Sequence, residues 1–270
     1  MKFDWYTASI DQKPDHVIDG LLSKLPYASV EDARPRYGFR NAHTVKSGFV
    51  EHCSVMYGGK AVGDAVMVDS SGRDAHEVAG HVRELFPGHR VTRADVAEDY
   101  RDPEAFDKLQ ALGKSIADEF RLKVNMAGDW YRGEEGRTLY VGSPKSDVFV
   151  RIYEKGIQLD CDPTWVRVEA QVRPNGNSRV LAGMIKPSEF FGFRHWLSQF
   201  GSRLGVPDIQ RIKAGTEWRP PDHDRAYKAM LSQYARTLKR VREELGSWDC
   251  VGLQIGQDLE ELEKADKPVR

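Results

Sequence analysis

Phe149-Val-Arg-Ile-Tyr-Glu-Lys155, preceded by Val148, is the stretch on which the reading of this chain turns. Successive residues of a strand point to opposite faces, so Val148, Val150 and Ile152 fall on one side. Phe149, Arg151, Tyr153 and Lys155 fall on the other. A tyrosine between two cations, on a strand anchored by β-branched residues, suits attack on a phosphate. Positive charge favours the phenolate and draws in a polyanion. Tyrosine is also common in strands for packing alone, so this segment does not carry the chemistry by itself.

Two further segments share the design. In Trp165-Val-Arg-Val-Glu-Ala-Gln-Val-Arg173, Val166, Val168, Ala170 and Val172 make one face; Trp165, Arg167, Glu169, Gln171 and Arg173 make the other. In Val91-Thr-Arg-Ala-Asp-Val-Ala-Glu-Asp99, the residues Arg93, Asp95 and Asp99 share a face with Ala97. Three strands with one apolar side each call for helices on that side only. Their other sides then form a wall of arginines, carboxylates and one tyrosine. Mg²⁺ and Mn²⁺ prefer carboxylate oxygens, which Asp95 and Glu169 can supply from neighbouring strands. A ladder of ordinary cross-strand Arg–carboxylate pairs on a solvated face gives the same pattern.

The chain has 270 residues, enough for one large domain or for a domain with an appendage. Its composition is globular, 40% hydrophobic and 30% charged with a formal net charge of −1. That balance argues against a protein coated in basic charge but allows local basic surfaces. Cys53, Cys161 and Cys250 are widely separated and form no zinc spacing, which points to a reducing cytosol. Met1-Lys-Phe-Asp-Trp-Tyr-Thr has no apolar signal core and no run approaches membrane-spanning length, so a soluble cytoplasmic protein is expected.

Along the chain, Asp4–Ile10 reads as a strand, 15–25 as an amphipathic helix and 26–46 as a loop. Strands are expected over 49–57 and 61–68, around Tyr57-Gly-Gly59. A helix follows with Val78, Val82 and Leu85, then the Arg93/Asp95 strand. Phe106, Leu109, Leu112, Ile116 and Phe120 mark a longer helix by their spacing. Strands come next over 124–129, 138–142, 148–155 and 165–173, with a helix over 188–199 behind Pro187. The sum is α+β, with a mostly antiparallel sheet and helices on one face. Arg93-x-Asp95 and Arg167-x-Glu169, each after a similar glycine turn (Tyr57-Gly-Gly59, Tyr140-Val-Gly142), hint at a pseudo-twofold internal repeat. Such a repeat brings carboxylates from both halves to the centre of the sheet.

The expected domains are residues 1–205 and a C-terminal helical region, 222–270, with Trp218-Arg-Pro-Pro221 as the linker. Between Arg225 and Arg242 lie six basic residues and no acidic ones; from Asp249 to Asp266 there are six acidic residues and one lysine. One reading is a DNA-facing helix followed by an acidic helix. The other is a helical hairpin whose opposite charges pair. The stripe of Tyr227, Leu231, Tyr234 and Leu238 equally suits the seam of a homodimer.

Taken in order, 91–99, Gly136-Arg-Thr-Leu-Tyr-Val-Gly-Ser143, Arg151-Ile-Tyr-Glu-Lys155 and Trp165-Val-Arg-Val-Glu169 resemble the replication initiation factor family (Rep_trans type) of rolling-circle plasmids and filamentous phages. The resemblance covers roughly residues 1–200. Leu245-Gly-Ser-Trp-Asp249 is similar to the phage-encoded branch. The resemblance implies a curved antiparallel nuclease sheet, a tyrosine nucleophile and carboxylates holding Mg²⁺ or Mn²⁺. It implies nicking of one strand at a double-strand origin, covalent attachment to the 5′ end, and a 3′-hydroxyl left for a polymerase. Tyr153 falls at the nucleophile position, with Arg151 and Lys155 beside it; Asp95, Glu169 and Asp99 fall at acidic positions. Arg93, Arg137, Ser143, Lys145 and Arg167, with Lys239 and Arg240 further on, are the candidate DNA contacts. Pro144 departs from the family, which often has arginine there, although Lys145 follows at once. The chain lacks the His-hydrophobe-His metal motif of other nickases, and His76 and His81 are too far round a helix to replace it. No Walker loop is present, so strand separation calls for a host helicase. A conjugative relaxase shares this chemistry, and a non-catalytic origin-binding protein shares the sheet.

Overall fold

The computed structural model describes residues 1–60, 62–207, 209–212 and 223–265. The chain divides into two units, Met1–Thr216 and Glu217–Arg270. The expected linker at 218–221 lies outside the described residues.

The first unit opens with β1 (Lys2–Ile10), α1 (Pro14–Lys24), β2 (Ser29–Asp32), β3 (Asn41–Ser47), β4 (Val50–Tyr57) and β5 (Val66–Ser71). A 3-10 turn leads into α2 (Ala75–Leu85), β6 (Arg90–Arg101) and α3 (Ala105–Phe120). Then come β7 (Val124–Gly128), β8 (Arg137–Val141), β9 (Val148–Tyr153), α4 (Lys155–Gln158) and β10 (Trp165–Val172). It closes with α5 (Ser178–Met184), a 3-10 segment over Pro187–Phe193, and α6 (His195–Arg203). All ten strands form one antiparallel sheet in the order β2-β3-β4-β5-β1-β6-β10-β9-β8-β7.

The expected internal repeat is not matched element for element: the run from α1 to β6 has four strands between its helices, β2–β5, whereas the run from α3 to β10 has three, β7–β9. The final strands of the two runs, β6 and β10, pair with each other near the middle of the sheet. The glycine turns after Tyr57 and Tyr140 follow β4, the third strand after α1, and β8, the second strand after α3. β1 lies between β5 and β6, and β2 at the edge beside β3; neither has a counterpart in the second run.

Alternation along each strand divides the sheet into two unlike faces. Val55, Val68, Val96, Val150, Ile152 and Val168 join a single core with Val17 and Leu21 of α1, Val78 and Val82 of α2, Phe106 and Ile116 of α3, and Leu197 and Phe200 of α6. Gly113 lets α3 lie close on the sheet. A Cβ there would sit 2.9 Å from Ile152 and 3.1 Å from Leu139, so a larger residue would lift the helix off the back of β9. The opposite face carries the charged residues.

Three expectations need correction. The segment 26–46 is not one loop: it contains β2 and most of β3, whose register Val30↔Val45 and Glu31↔Thr44 hides among polar residues. The 148–155 strand ends at Tyr153, and Lys155 begins α4 instead of continuing the face. The helix over 188–199 is broken, with a 3-10 segment up to Phe193 and α6 from His195. In addition, α5 gave no distinct sequence signal.

The second unit is a helical hairpin of α7 (His223–Leu245) and α8 (Trp248–Ala265), turning at Gly246 with φ 86°. Glycine suits that left-handed position because it lacks a Cβ. Tyr227, Met230, Leu231 and Tyr234 are exposed, as are Leu253 and Leu259. Among the described residues, Arg240 pairs with Glu244 of its own helix at 3.4 Å, and Arg242 lies over the Trp248 ring at 5.4 Å.

Candidate active site

Register gathers the site from strands far apart in sequence. Arg167 of β10 sits opposite Tyr153 of β9 and Asp99 of β6, and Glu169 sits opposite Arg151 and Ala97. Tyr153 Oη donates to Glu169 Oε2 at 3.1 Å. The other carboxylate oxygen, Oε1, accepts a hydrogen bond from Arg151 Nη2, and the same nitrogen donates to Asp95 Oδ2 at 3.0 Å. Arg93 holds Asp95 from the far side through two bonds of 2.9 and 2.6 Å. Asp95 and Glu169 are buried, at 0% and 3% exposure.

Burial sets the proton affinities. It disfavours the Glu169 carboxylate, and although Arg151 opposes this, nearby Asp95 adds to it, leaving a pKa of about 7. The Tyr153 phenol is pushed well above its ordinary value, first by burial and then by the Glu169 charge; Arg167 acts the other way but is outweighed. The expectation that flanking cations favour the phenolate is therefore overturned. The carboxylate that accepts the Tyr153 hydrogen bond counts for more than the surrounding positive charge.

A second ionic cluster lies alongside. Arg167 binds Asp99 through two bonds of 2.6 and 2.9 Å and Asp4 through a third of 2.6 Å. Trp165 Nε1 also donates to Asp99, at 2.8 Å. Burial works against the Arg167 charge, but Asp99 and Asp4 outweigh it and hold its pKa above the usual guanidinium value. Asp99 thus stands apart from the Asp95–Glu169 pair, and Arg167 is a buried cross-strand tie whose donors already have partners.

The remaining candidates are scattered. Arg137 projects to the helix-covered face, where it binds Glu154 at 2.7 Å and Asp107 at 3.3 Å and lies over Phe106. Ser143 and Lys145 occupy the β8–β9 turn, at the opposite end of β9 from Tyr153. Lys155 reaches back over the Tyr153 ring at 5.5 Å and donates to Gln158. Lys239 and Arg240 are exposed on α7 of the second unit.

Tyr153, Arg151, Glu169, Arg93 and Lys155 line a cleft of about 340 Å³ together with Asp4, Trp5, Thr138 and Tyr140. These last four escaped the sequence reading. In β1 the alternation of Trp5 and Thr7 with Tyr6 and Ala8 carried a usable signal for Trp5, whereas Asp4 lies at the register shift between Phe3 and Trp5, which alternation does not reveal. A larger cavity of about 720 Å³, beside Lys13, Tyr57 and Asp64, contains none of these groups.

Asp95 and Glu169 are the two carboxylates that could face one hard divalent cation. Among the described residues no group of three or more His, Cys, Asp and Glu side chains converges. Mg²⁺, however, is commonly held by one or two carboxylates, with waters and substrate phosphate completing its shell. That place is taken by protein cations in this structure: Arg151 Nη2 bridges Asp95 and Glu169 and Arg93 holds both oxygens of Asp95, so a metal ion would have to displace Arg151.

Residues 89–199, from just before β6 into α6, match the family model for replication initiation factor. The resemblance read from the sequence is thereby shown over the segment that holds Asp95, Tyr153 and Glu169. The fold is similar to a solved rolling circle replication initiator protein from Geobacillus stearothermophilus, with a TM-score of 0.55 and 21% identity over 78% of this chain and 98% of that one. No curated protein sequence matches.

Proposed function

We propose that the chain is a rolling-circle replication initiator that nicks and rejoins origin DNA through Tyr153. The observation that carries this reading is the hydrogen bond from Tyr153 Oη to Glu169 Oε2, within the family-matched segment. With the phenol pKa raised, little phenolate exists at neutral pH, so the proton leaves as the nucleophile attacks. Glu169 Oε2 already accepts that proton's hydrogen bond, which places it to take the proton as the attack proceeds. Tyr153 Oη forms a bond to phosphorus as the P–O3′ bond breaks. The proton taken by Glu169 passes, directly or through water, to the leaving O3′, which becomes a 3′-hydroxyl. The 5′-phosphotyrosyl link keeps the bond energy, so a later 3′-hydroxyl can reverse the step and return the proton to Tyr153.

Lys155, above the tyrosine ring, and Arg151, bonded to the carboxylates beside it, are positioned to offset phosphate charge. Mg²⁺ or Mn²⁺ would be held by Asp95 and Glu169 and would supply electrostatic stabilisation of the scissile phosphate. The partners are origin DNA, then a host helicase and polymerase that use the exposed 3′ end. The second unit adds duplex contacts through Lys239 and Arg240. Among the described residues no helix is long and apolar enough to cross a membrane; a cytoplasmic protein accords with the role.

The test is a denaturant-resistant protein–DNA adduct on supercoiled plasmid carrying the cognate origin. The wild type should form it with Mg²⁺ or Mn²⁺, and Tyr153→Phe should bind DNA without forming it. Normal adduct yield from Tyr153→Phe would remove Tyr153 from the role.

A further inference from the structure

The bare face of the sheet continues beyond the Tyr153 cleft. Trp5 and Arg93 line that cleft and also a second one of about 250 Å³, whose other walls include Tyr37, Thr7 and Arg173. The second cleft falls below the range for drug-sized ligands, which leaves room for one base and its sugar.

Its two aromatic walls are fixed by different means. Trp5 Nε1 donates to the buried Asp69 at 2.8 Å and to Thr7 at 2.9 Å, and the Arg93 guanidinium lies over the indole at 3.9 Å. Tyr37 stands in the Arg36–Phe39 turn at φ 55°, a left-handed conformation that costs a bulky residue energy, with its ring 61% exposed. An exposed aromatic ring held in an unfavourable backbone conformation beside a cleft points to a binding role. Arg173 lines the same cleft while its Nη1 is steadied by the carbonyls of Pro144 and Ser146, at 2.8 and 3.1 Å.

We infer that this second cleft is a subsite for one unpaired nucleotide of the cleaved strand. The base lies against Trp5 and Tyr37, and its flanking phosphates meet Arg93 and Arg173. Aromatic faces accept any base, and the arginines supply charge complementarity to the strand. Trp5 and Tyr153 lie three strand spacings apart across the sheet and four residues apart along it, roughly 20 Å between backbones. The subsite is therefore a few nucleotides from the bond that Tyr153 attacks, and it serves to draw an unpaired strand across the sheet. The inference rests on the reading of the Tyr153 face as a DNA-cleaving site.

The test uses the full chain carrying Tyr153→Phe, so that binding is measured without cleavage. The probe is a fluorescein-labelled thymidine oligonucleotide of about twenty nucleotides, with a duplex of equal length for comparison. Adding Tyr37→Asn should weaken single-strand binding about tenfold, the effect of losing one base–aromatic stack. Duplex binding should change less. Asparagine tolerates the left-handed turn, so the thermal midpoint should hold or rise. Independently of that substitution, a 5-bromodeoxyuridine strand irradiated on the Tyr153→Phe protein should crosslink at Trp5 or Tyr37, as mapped by mass spectrometry. Crosslinks elsewhere only, or equal losses for single strand and duplex, would overturn the inference. If wild type forms no adduct while the crosslink appears at Trp5 or Tyr37, the subsite stands and the nicking reading falls.

Discussion

The two faces of this sheet are built from the same strands, yet they hold together in different ways. Behind β9, Val148, Val150 and Ile152 belong to a core shared by five helices, where each contact is weak and many neighbours share the load. In front, Arg151 and Tyr153 depend on a few directional bonds to residues on other strands. Removing one side chain behind the sheet costs packing, whereas removing one in front leaves a buried charge without its partner or deletes the chemistry. On the proposed mechanism, a single strand therefore separates stability from activity residue by residue.

The largest contrast expected is between adjacent residues. Tyr153→Phe should abolish the adduct and leave the urea midpoint nearly unchanged, because the hydroxyl has one partner and the ring stays in place. Ile152→Ala, on the other side, should lower stability by about 2–5 kcal/mol, the cost of a large buried cavity. Its adduct yield should fall only as far as the unfolded fraction rises. Adduct loss from Ile152→Ala at a temperature where it is fully folded would break the division between the faces.

Arg167→Met sharpens the contrast within the front face. It keeps the stem of the side chain and strands Asp4 and Asp99, which are 19% and 26% exposed. A loss of about 2–3 kcal/mol in urea unfolding is expected, less than for a fully buried pair because both carboxylates still reach water. If Arg167 instead contacted DNA, affinity and its salt dependence would fall while stability held.

The smallest effect expected is a slope in pH. Glu169 rises from 4.5 to about 7 in the folded protein, so folding favours its protonated form. Its contribution to stability is complete below the unfolded value and is lost as pH rises through about 7. Measured in EDTA, the stability of Glu169→Gln relative to wild type should therefore improve from about pH 5 to about pH 8. The variant should form no adduct at either pH. A flat difference would mean that Arg151 keeps Glu169 ionised throughout.

Periodicity made the halves of this comparison unequally readable. The apolar alternation of 148–152 and 166–172 marked both strands and showed which side the helices cover, because hydrophobic burial leaves a local imprint. The polar side left only charges, whose roles depend on partners that local sequence does not reveal. Arg167 looked like a DNA contact until Asp4, 163 residues away, proved to hold it. Arg137 lies on the other face, and Lys155 left the strand because the chain turns into α4 after Glu154. Tyr153, Asp95 and Glu169 became candidates through the order of four short motifs more than through any one of them. Trp5 and Tyr37 belong to no such motif.

The position of β1 also constrains how the sheet can be assembled in time. Both of its neighbours, β5 and β6, are translated long after it, whereas β3-β4-β5 and β7-β8-β9-β10 pair with strands that are adjacent in sequence. Local hairpins form quickly, and a strand that must be threaded between distant partners forms late. Until then, Phe3, Tyr6, Ala8 and Ile10 have no sheet to join, and the gap between β5 and β6 can accept the same strand from another nascent copy. Synthesis at high concentration should accordingly yield strand-exchanged dimers alongside monomer, with slow ribosomes and general chaperones shifting the balance toward the self-completed sheet.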